Sequence, residues 1–149
     1  MTENKKTERT GFFWDVIEGQ RPQPPIAKLL GFKLLHVDPE QGTIRIEFEA
    51  KPEFLNSAGQ VQGGMLAAML DDTMATALVA RLPPGQFAPT LELKTSFIAP
   101  ASVGKLIGEG HVVHMGKSIA FLEGKLTDES GRLIATATAT ARIMSHPGA

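Results

Sequence analysis

The stretch from Asn56 to Arg81 constrains this chain more than any other. The pair Gly63-Gly64 opens a run that is apolar almost all the way round a helix, and Asp71 and Asp72 interrupt it in the middle. The run predicts one long helix over Gly64 to Leu82, ending before Pro83-Pro84-Gly85. A helix apolar on every side is normally buried. A carboxylate on a buried helix is costly unless it is paired or put to use. The remaining sequence must therefore supply both a cover for the helix and a reason for the acid.

The cover is a set of strands. Thr43 to Ala50 alternates strictly, with Ile44, Ile46, Phe48 and Ala50 on one face and Thr43, Arg45, Glu47 and Glu49 on the other, the pattern of a half-buried strand. Gly31 to Val37 reads as a strand before it, joined through the turn Asp38 to Gly42. After the helix, Thr90 to Ile98 alternates Leu91, Leu93, Thr95 and Phe97 against polar residues, and Gly104 to Met115 follows. Ser118 to Thr127 and Arg132 to Met144 read as a hairpin across Asp128 to Gly131. The last strand carries alanines on one face and threonines on the other, and the small face lets the helix come close. Short turns favour an antiparallel sheet. With a single long helix, that sheet must curl around it, an α+β arrangement. Residues 1–25 read as a disordered tail (1–10), a short aromatic helix within Gly11 to Gly19 and an extended proline-rich connector. Residues 26–149 read as one domain, with a helical turn at Ile26 to Leu30.

Bulk properties remove several classes of function. A chain of 149 residues is one domain of ordinary size. Net charge is -1, and no basic run with interleaved aromatics is present, so no nucleic-acid partner is expected. Cysteine is absent, which excludes a disulfide scaffold, a cysteine nucleophile and a thiolate metal site. The polar start lacks the apolar core of a signal peptide. The longest apolar run holds both acids, so no membrane span is expected, and the location expected is cytoplasmic. Strand periodicity puts His111 and His114 on opposite faces, and His36 and His146 have no ligand-like neighbours, so no metal site is expected. There is no Gly-x-Ser-x-Gly elbow. Gly108-Glu109-Gly110 lacks the third glycine of a dinucleotide loop. Met65, Met69 and Met74 read as core packing.

The helix itself carries the chemistry. Its first turn offers free N–H groups and the positive end of the dipole, and glycine lets a ligand approach the backbone. Gly63 is therefore a suitable oxyanion site. On the helical wheel Asp71 lies with Ala67, Ala75 and Leu78, and Asp72 with Met65, Ala68 and Val79; the wheel alone does not choose between them. Gly63 and Asp71 are separated by roughly 12 Å at 1.5 Å per residue. A carbonyl held at Gly63 is out of reach of Asp71 on the same helix. If both act on one substrate they come from two chains, as two antiparallel helices about a two-fold axis would provide.

The ordered set Asn56, Gly59, Gln62-Gly63-Gly64 and Asp71, followed by Thr90 to Ala101 and the turn Gly116-Lys117-Ser118, resembles the hotdog-fold acyl-CoA thioesterases. The likeness is to the phenylacetate-degradation (PaaI-type) branch of the 4-hydroxybenzoyl-CoA thioesterase superfamily, and it spans about Ala27 to Ile143. The spacing from Asn56 matches Asp71 rather than Asp72. Gln62 stands where the family usually has His; Gln still donates and accepts hydrogen bonds. The resemblance implies a curved antiparallel sheet around a central helix, and hydrolysis of an acyl-CoA without metal or cofactor, CoA being part of the substrate. It implies that Gly63, with Gly64, polarises the thioester carbonyl and that Asp71 of the facing subunit attacks it or activates water. Asn56 would orient that nucleophile, Thr90 would hydrogen-bond near the acid, and Gln62 would line the substrate. Lys117, Ser118 and Arg81 are candidates to meet the CoA phosphates. The assembly expected is a homodimer and, beyond it, a homotetramer built as a dimer of dimers. Two other readings belong to the same fold: an enoyl-CoA hydratase or dehydratase, which needs a His with its acid, and a non-catalytic acyl-CoA-binding module.

Overall fold

The alternation over Thr43–Ala50 is realised without a slip: Ile44, Ile46, Phe48 and Ala50 are all buried. In the computed structural model, which describes residues 9–148, this segment is β2 (Thr43–Ala50). Before it come α1 (Phe12–Ile17), α2 (Pro25–Leu30) and β1 (Lys33–Asp38). A 3-10 turn at Pro52–Phe54 leads to the long helix α3 (Gly63–Val79). Then follow β3 (Gln86–Phe87), β4 (Thr90–Phe97), β5 (Gly104–Met115), β6 (Ile119–Asp128), β7 (Leu133–Arg142) and β8 (Met144–Ser145). Six antiparallel strands form one sheet in the order β1-β2-β5-β6-β7-β4. Helix α3 packs against β5, β6, β2, β7 and β4, so the sheet wraps it as expected; this is the α+β hotdog fold. Among the described residues no helix is long and apolar enough to cross a membrane.

The helix sits close to the sheet because the strands beneath it lack side chains. A Cβ on Gly108 would overlap the Thr73 hydroxyl, and one on Gly110 would lie 2.8 Å from the Thr73 carbonyl oxygen. A Cβ on Gly124 would lie 3.0 Å from Met74 Cγ. The buried alanines Ala135, Ala137, Ala139 and Ala141 continue this low surface along β7. Thr73 is fully buried, and its hydroxyl donates to the Met69 carbonyl at 2.7 Å, so no polar group is stranded there.

Several sequence expectations change. The helix ends at Val79 rather than Leu82. Arg81 and Leu82 donate to residues three back (Leu78 and Val79), so the chain tightens before the prolines. Burial of α3 is one-sided: Leu66, Met69, Leu70, Thr73, Met74, Ala77 and Leu78 are buried. The opposite side, from Gly64 through Ala68 and Asp71 to Val79, stays partly exposed within one chain.

The sheet has four register irregularities, and two of them bear on the sequence expectations. One, between Thr90 and Glu92, breaks the alternation predicted for β4. Thr90 then pairs with Ala141 and Leu93 with Ala139, on the helix side, while Leu91 is pushed out to 57% exposure. The other lies between Val112 and His114. His111 and His114 therefore share one face, opposite Glu123 and Phe121, instead of facing opposite ways. Both are exposed. Among the described residues no group of three His, Asp or Glu could hold a metal.

The pair β3 and β8, two residues each, escapes any periodicity argument. The expected tail over 1–10 lies outside the described residues except for Arg9 and Thr10. Helix α1 packs onto the domain, with Phe13 in the core.

Candidate active site

The loop between β2 and α3 presents the helix start. Asn56 Oδ1 accepts from the N–H of Ala58 at 2.9 Å and of Gln60 at 3.2 Å, and Gln60 returns its carbonyl to the Asn56 N–H at 2.7 Å. Gly59 at φ +74° closes the turn. The Asn56 oxygen is thus committed to shaping the loop, and among the described residues its amide NH₂, a donor, makes no hydrogen bond. The Gln62 N–H donates to Phe54 O at 2.8 Å, which anchors the chain as α3 begins. Gln62 is the N-cap, exposed, with no side-chain capping bond. Among the described residues the N–H groups of Gly63 and Gly64 donate to no backbone carbonyl outside the helix. They lie in the first turn, where intrahelical acceptors do not exist. Phe97 covers this spot: a Cβ on Gly63 would lie 3.1 Å from Phe97 Cζ.

Asp71 sits midway along α3, half-buried, and its Oδ1 accepts from the Thr90 hydroxyl at 2.8 Å. The β4 bulge is what turns Thr90 inward to make this bond. Asp72 faces elsewhere. It lines an apolar cavity of ≈ 220 Å³ between α1, α2 and α3. Its Oδ2 is buried without a partner. Burial, reinforced by the Asp71 charge, pushes its carboxyl up to about 6.

The remaining candidates divide. Lys117 and Ser118 are exposed in the β5–β6 turn, and Ser118 O accepts the Ile143 N–H at 2.8 Å. The row Met115, Ala120, Ala141 and Thr90 crosses the sheet at this same end, with β6 and β7 between the turn and Thr90. Arg81 is not brought to this group; it lies against Gly42 and Val112, beyond the C-terminus of α3. Sequence reasoning missed two features here. Phe97 over Gly63 was signalled only by its alternation with Leu93 and Thr95. The Asp72 cavity was not signalled at all, because α1 and α2 build it.

The chain thus carries a carboxylate held by a threonine, midway along a helix whose first turn offers free N–H groups and whose flanks a curved sheet enfolds. The sequence pattern of the thioesterase superfamily matches residues 58–135. Human acyl-coenzyme A thioesterase 13 is 29% identical over 133 residues, covering 87% of this chain and 92% of its own. A phenylacetic acid degradation-related protein from Ralstonia eutropha JMP134 is 40% identical, with TM-score 0.86 over 89% of this chain and 99% of that one. The E. coli PaaI protein of the phenylacetic acid degradation operon shares the fold at TM-score 0.78 and 19% identity, over 89% of this chain and 94% of its own. The chain belongs to the thioesterase superfamily and is a thioester hydrolase.

Proposed function

We propose that this chain hydrolyses acyl-CoA thioesters at sites shared between two copies, with no metal and no cofactor beyond the CoA of the substrate. The observation that carries the reading is the 2.8 Å bond from Thr90 to Asp71, which fixes a carboxylate on the half-exposed side of α3. The similarity to human acyl-coenzyme A thioesterase 13 supports the substrate class. The thioester oxygen accepts from the Gly63 N–H, assisted by Gly64, at the helix start. Asp71 of the facing copy takes a proton from water as the water oxygen adds to the carbonyl carbon. The oxyanion then collapses, the C–S bond breaks, and the CoA thiolate recovers the proton. In the covalent variant the Asp71 carboxylate adds first, the C–S bond breaks to give a mixed anhydride and the CoA thiolate, and water then opens the anhydride, returning the Asp71 carboxylate and passing its proton to the thiolate. Both need Asp71 ionised. The Asn56 amide and Gln62 beside the helix start orient the incoming groups. Lys117 and Ser118 meet the CoA phosphates, with Arg81 a more distant candidate.

Two features support the shared site. Strand β4 is a sheet edge, with Phe97 and Leu91 exposed at 55% and 57%. An exposed apolar edge strand calls for a partner. Antiparallel pairing of two β4 strands about their middle would bring Thr90 of one copy beside Phe97 of the other, and Phe97 lies on Gly63. The tetramer is part of the same proposal: the outer sheet face carries both signs of charge, as in Arg45–Glu109 at 3.6 Å and Lys125–Glu109 at 3.1 Å, which suits a self-complementary contact between dimers. Among the described residues no histidine hydrogen-bonds to Asp71, so the hydratase reading has no observation in its favour.

The test is free-thiol release from a panel of acyl-CoA esters. The wild type is expected to turn over at least one, and Asp71→Ala to lose about 10²–10⁴-fold in kcat. No turnover by the wild type, or an undiminished rate in the variant, overturns the reading.

A further inference from the structure

An aromatic ring walls the start of α3 on one side. A Cβ on Gly63 would lie 3.1, 3.3 and 3.4 Å from Cζ, Cε1 and Cε2 of Phe97, so the far edge of that ring abuts the glycine. A Cβ on Gly64 would meet nothing within 4 Å, so the other side is open. The backbone beside the ring is pinned. Ile98 and Ala99 both donate to the Ile134 carbonyl, at 2.8 and 3.1 Å. The Val61 N–H donates to Ala101 O at 2.9 Å, which ties the segment after β4 to the loop before α3. The ring itself stays 55% exposed. Single exposed apolar side chains are ordinary; this one is set apart by its contact with the turn that offers free N–H groups.

We propose that Phe97 is a specificity-determining residue: its ring limits the room beside the reacting carbonyl and admits acyl groups that are unbranched at the carbon next to it. The inference rests on the thioesterase reading and narrows the substrate class of that site. A carbonyl oxygen that accepts from the Gly63 N–H lies about 2.9 Å from that nitrogen. The carbonyl carbon is one bond further out and the next carbon one more, within reach of a ring that already touches Gly63. Water and Asp71 of the facing copy take up part of the space around that carbon, and Phe97 bounds what is left. A CH₂ at the next position presents only hydrogen to the ring. A branch presents a methyl group, which has to turn the ring or shift the carbonyl off the N–H. The pinned backbone on either side leaves little else to give. A displacement of about 1 Å in the reacting geometry costs on the order of 10²-fold in rate. As water adds, the flat carbonyl carbon becomes tetrahedral and needs more room. The crowding therefore falls on the transition state, and it lowers kcat more than it raises KM.

The test compares isomeric thioesters: butanoyl-CoA against 2-methylpropanoyl-CoA, hexanoyl-CoA against 2-methylpentanoyl-CoA, and 3-phenylpropanoyl-CoA against 2-phenylpropanoyl-CoA. Members of a pair contain the same atoms, so their apolar area differs little. The readout is the ratio of kcat/KM within each pair, divided by the ratio for hydroxide hydrolysis of the same two esters, which removes the intrinsic effect of branching. The wild type is expected to favour the unbranched member about 10- to 100-fold. Phe97→Ala should bring the corrected ratio close to one, and Phe97→Leu should narrow it in part. Phe97 also lies on the sheet edge, so size-exclusion chromatography and thermal melting accompany each variant. A purely structural role lowers both members of a pair alike and leaves the ratio unchanged. If Phe97→Ala fails to assemble, Phe97→Leu, which keeps an apolar side chain at the edge, decides the matter. A corrected ratio near one in the wild type, or a ratio unchanged in an assembled variant, overturns the inference and leaves the thioesterase reading intact. Hydrolysis of none of the six esters by the wild type overturns both.

Discussion

Thr90 and Asp71, far apart in the chain, meet through a 2.8 Å hydrogen bond that ties the edge strand to the central helix. The bond depends on a fault in the strand. Uninterrupted alternation would send Thr90 outward with Glu92; the bulge between them turns it onto the helix side with Leu93. Bulges often re-aim one side chain in this way, and here the re-aimed group orients an acid.

Thr90→Val keeps the shape of the side chain and removes the donor. The expected result is a fall in kcat of about 10-fold, from a lost hydrogen bond to a charged group, with KM nearly unchanged. Steady-state thiol release measures both constants. A rise in KM with kcat unchanged would assign Thr90 to substrate binding instead.

Sites shared between copies predict complementation. Gly63→Pro removes one N–H, and proline is tolerated at the first helical position after Gln62, whose backbone is already extended at φ -57° and ψ 134°; its Cβ, 3.1 Å from Phe97 Cζ, also displaces that exposed ring by a few tenths of an ångström. Each single variant, Asp71→Ala or Gly63→Pro, should be nearly inactive alone. A mixed dimer holds one site with both defects and one with neither. Mixing the two under exchange conditions should therefore restore a large part of the activity, up to about a quarter of wild type at random assortment. No recovery in a mixture shown to contain mixed dimers would mean that each site lies within one chain.

Asp72 predicts a pH-dependent stability with a definite sign. Its carboxyl lies at about 6 in the folded chain against 3.8 ordinarily, so the folded state holds the proton more tightly. Below pH 3.8 the carboxyl is neutral in both states and carries no penalty; the penalty grows as pH rises and is complete above about 6. It amounts to about 3 kcal/mol at most. Asp72→Asn should therefore be more stable than wild type at pH 7.5, and the gap should narrow toward pH 4. Urea unfolding at several pH values checks this, and a gap independent of pH would contradict it.

The glycines under α3 predict a packing penalty. Gly108→Ala puts a methyl onto the Thr73 hydroxyl and should cost about 1–3 kcal/mol. The pair Gly108→Ala with Thr73→Ala should recover part of that loss, because the two sites touch. Chemical denaturation of the two single variants and the double measures the coupling directly.

Where an element declared itself by period, the sequence was sufficient. Ile44, Ile46, Phe48 and Ala50 announced β2, and the turn Asp128 to Gly131 announced the hairpin that β6 and β7 form. What escaped was set by single residues or by remote chain. A bulge inserts one residue and reverses every later side chain, so His114 and Thr90 could not be assigned a face from alternation. The wheel separated Asp71 from Asp72 but could not tell which side α1 and α2 would cover. Asn56 looked like a group aimed at a substrate, yet its oxygen serves its own loop, a short-range use that asparagine favours wherever the chain turns.

The glycines beneath α3 have one further consequence. They seat the helix from behind, through Thr73 and Met74, so its rotation is fixed by contacts that no substrate touches. The direction of Asp71 is then independent of what fills the cavity beside Asp72. Residues such as Phe12, Val16 and Phe32 can change on the α1 and α2 side, and the acid keeps its aim. The aim of the acid is mechanically uncoupled from the α1 and α2 side of the scaffold, which leaves that side free to vary without turning the helix.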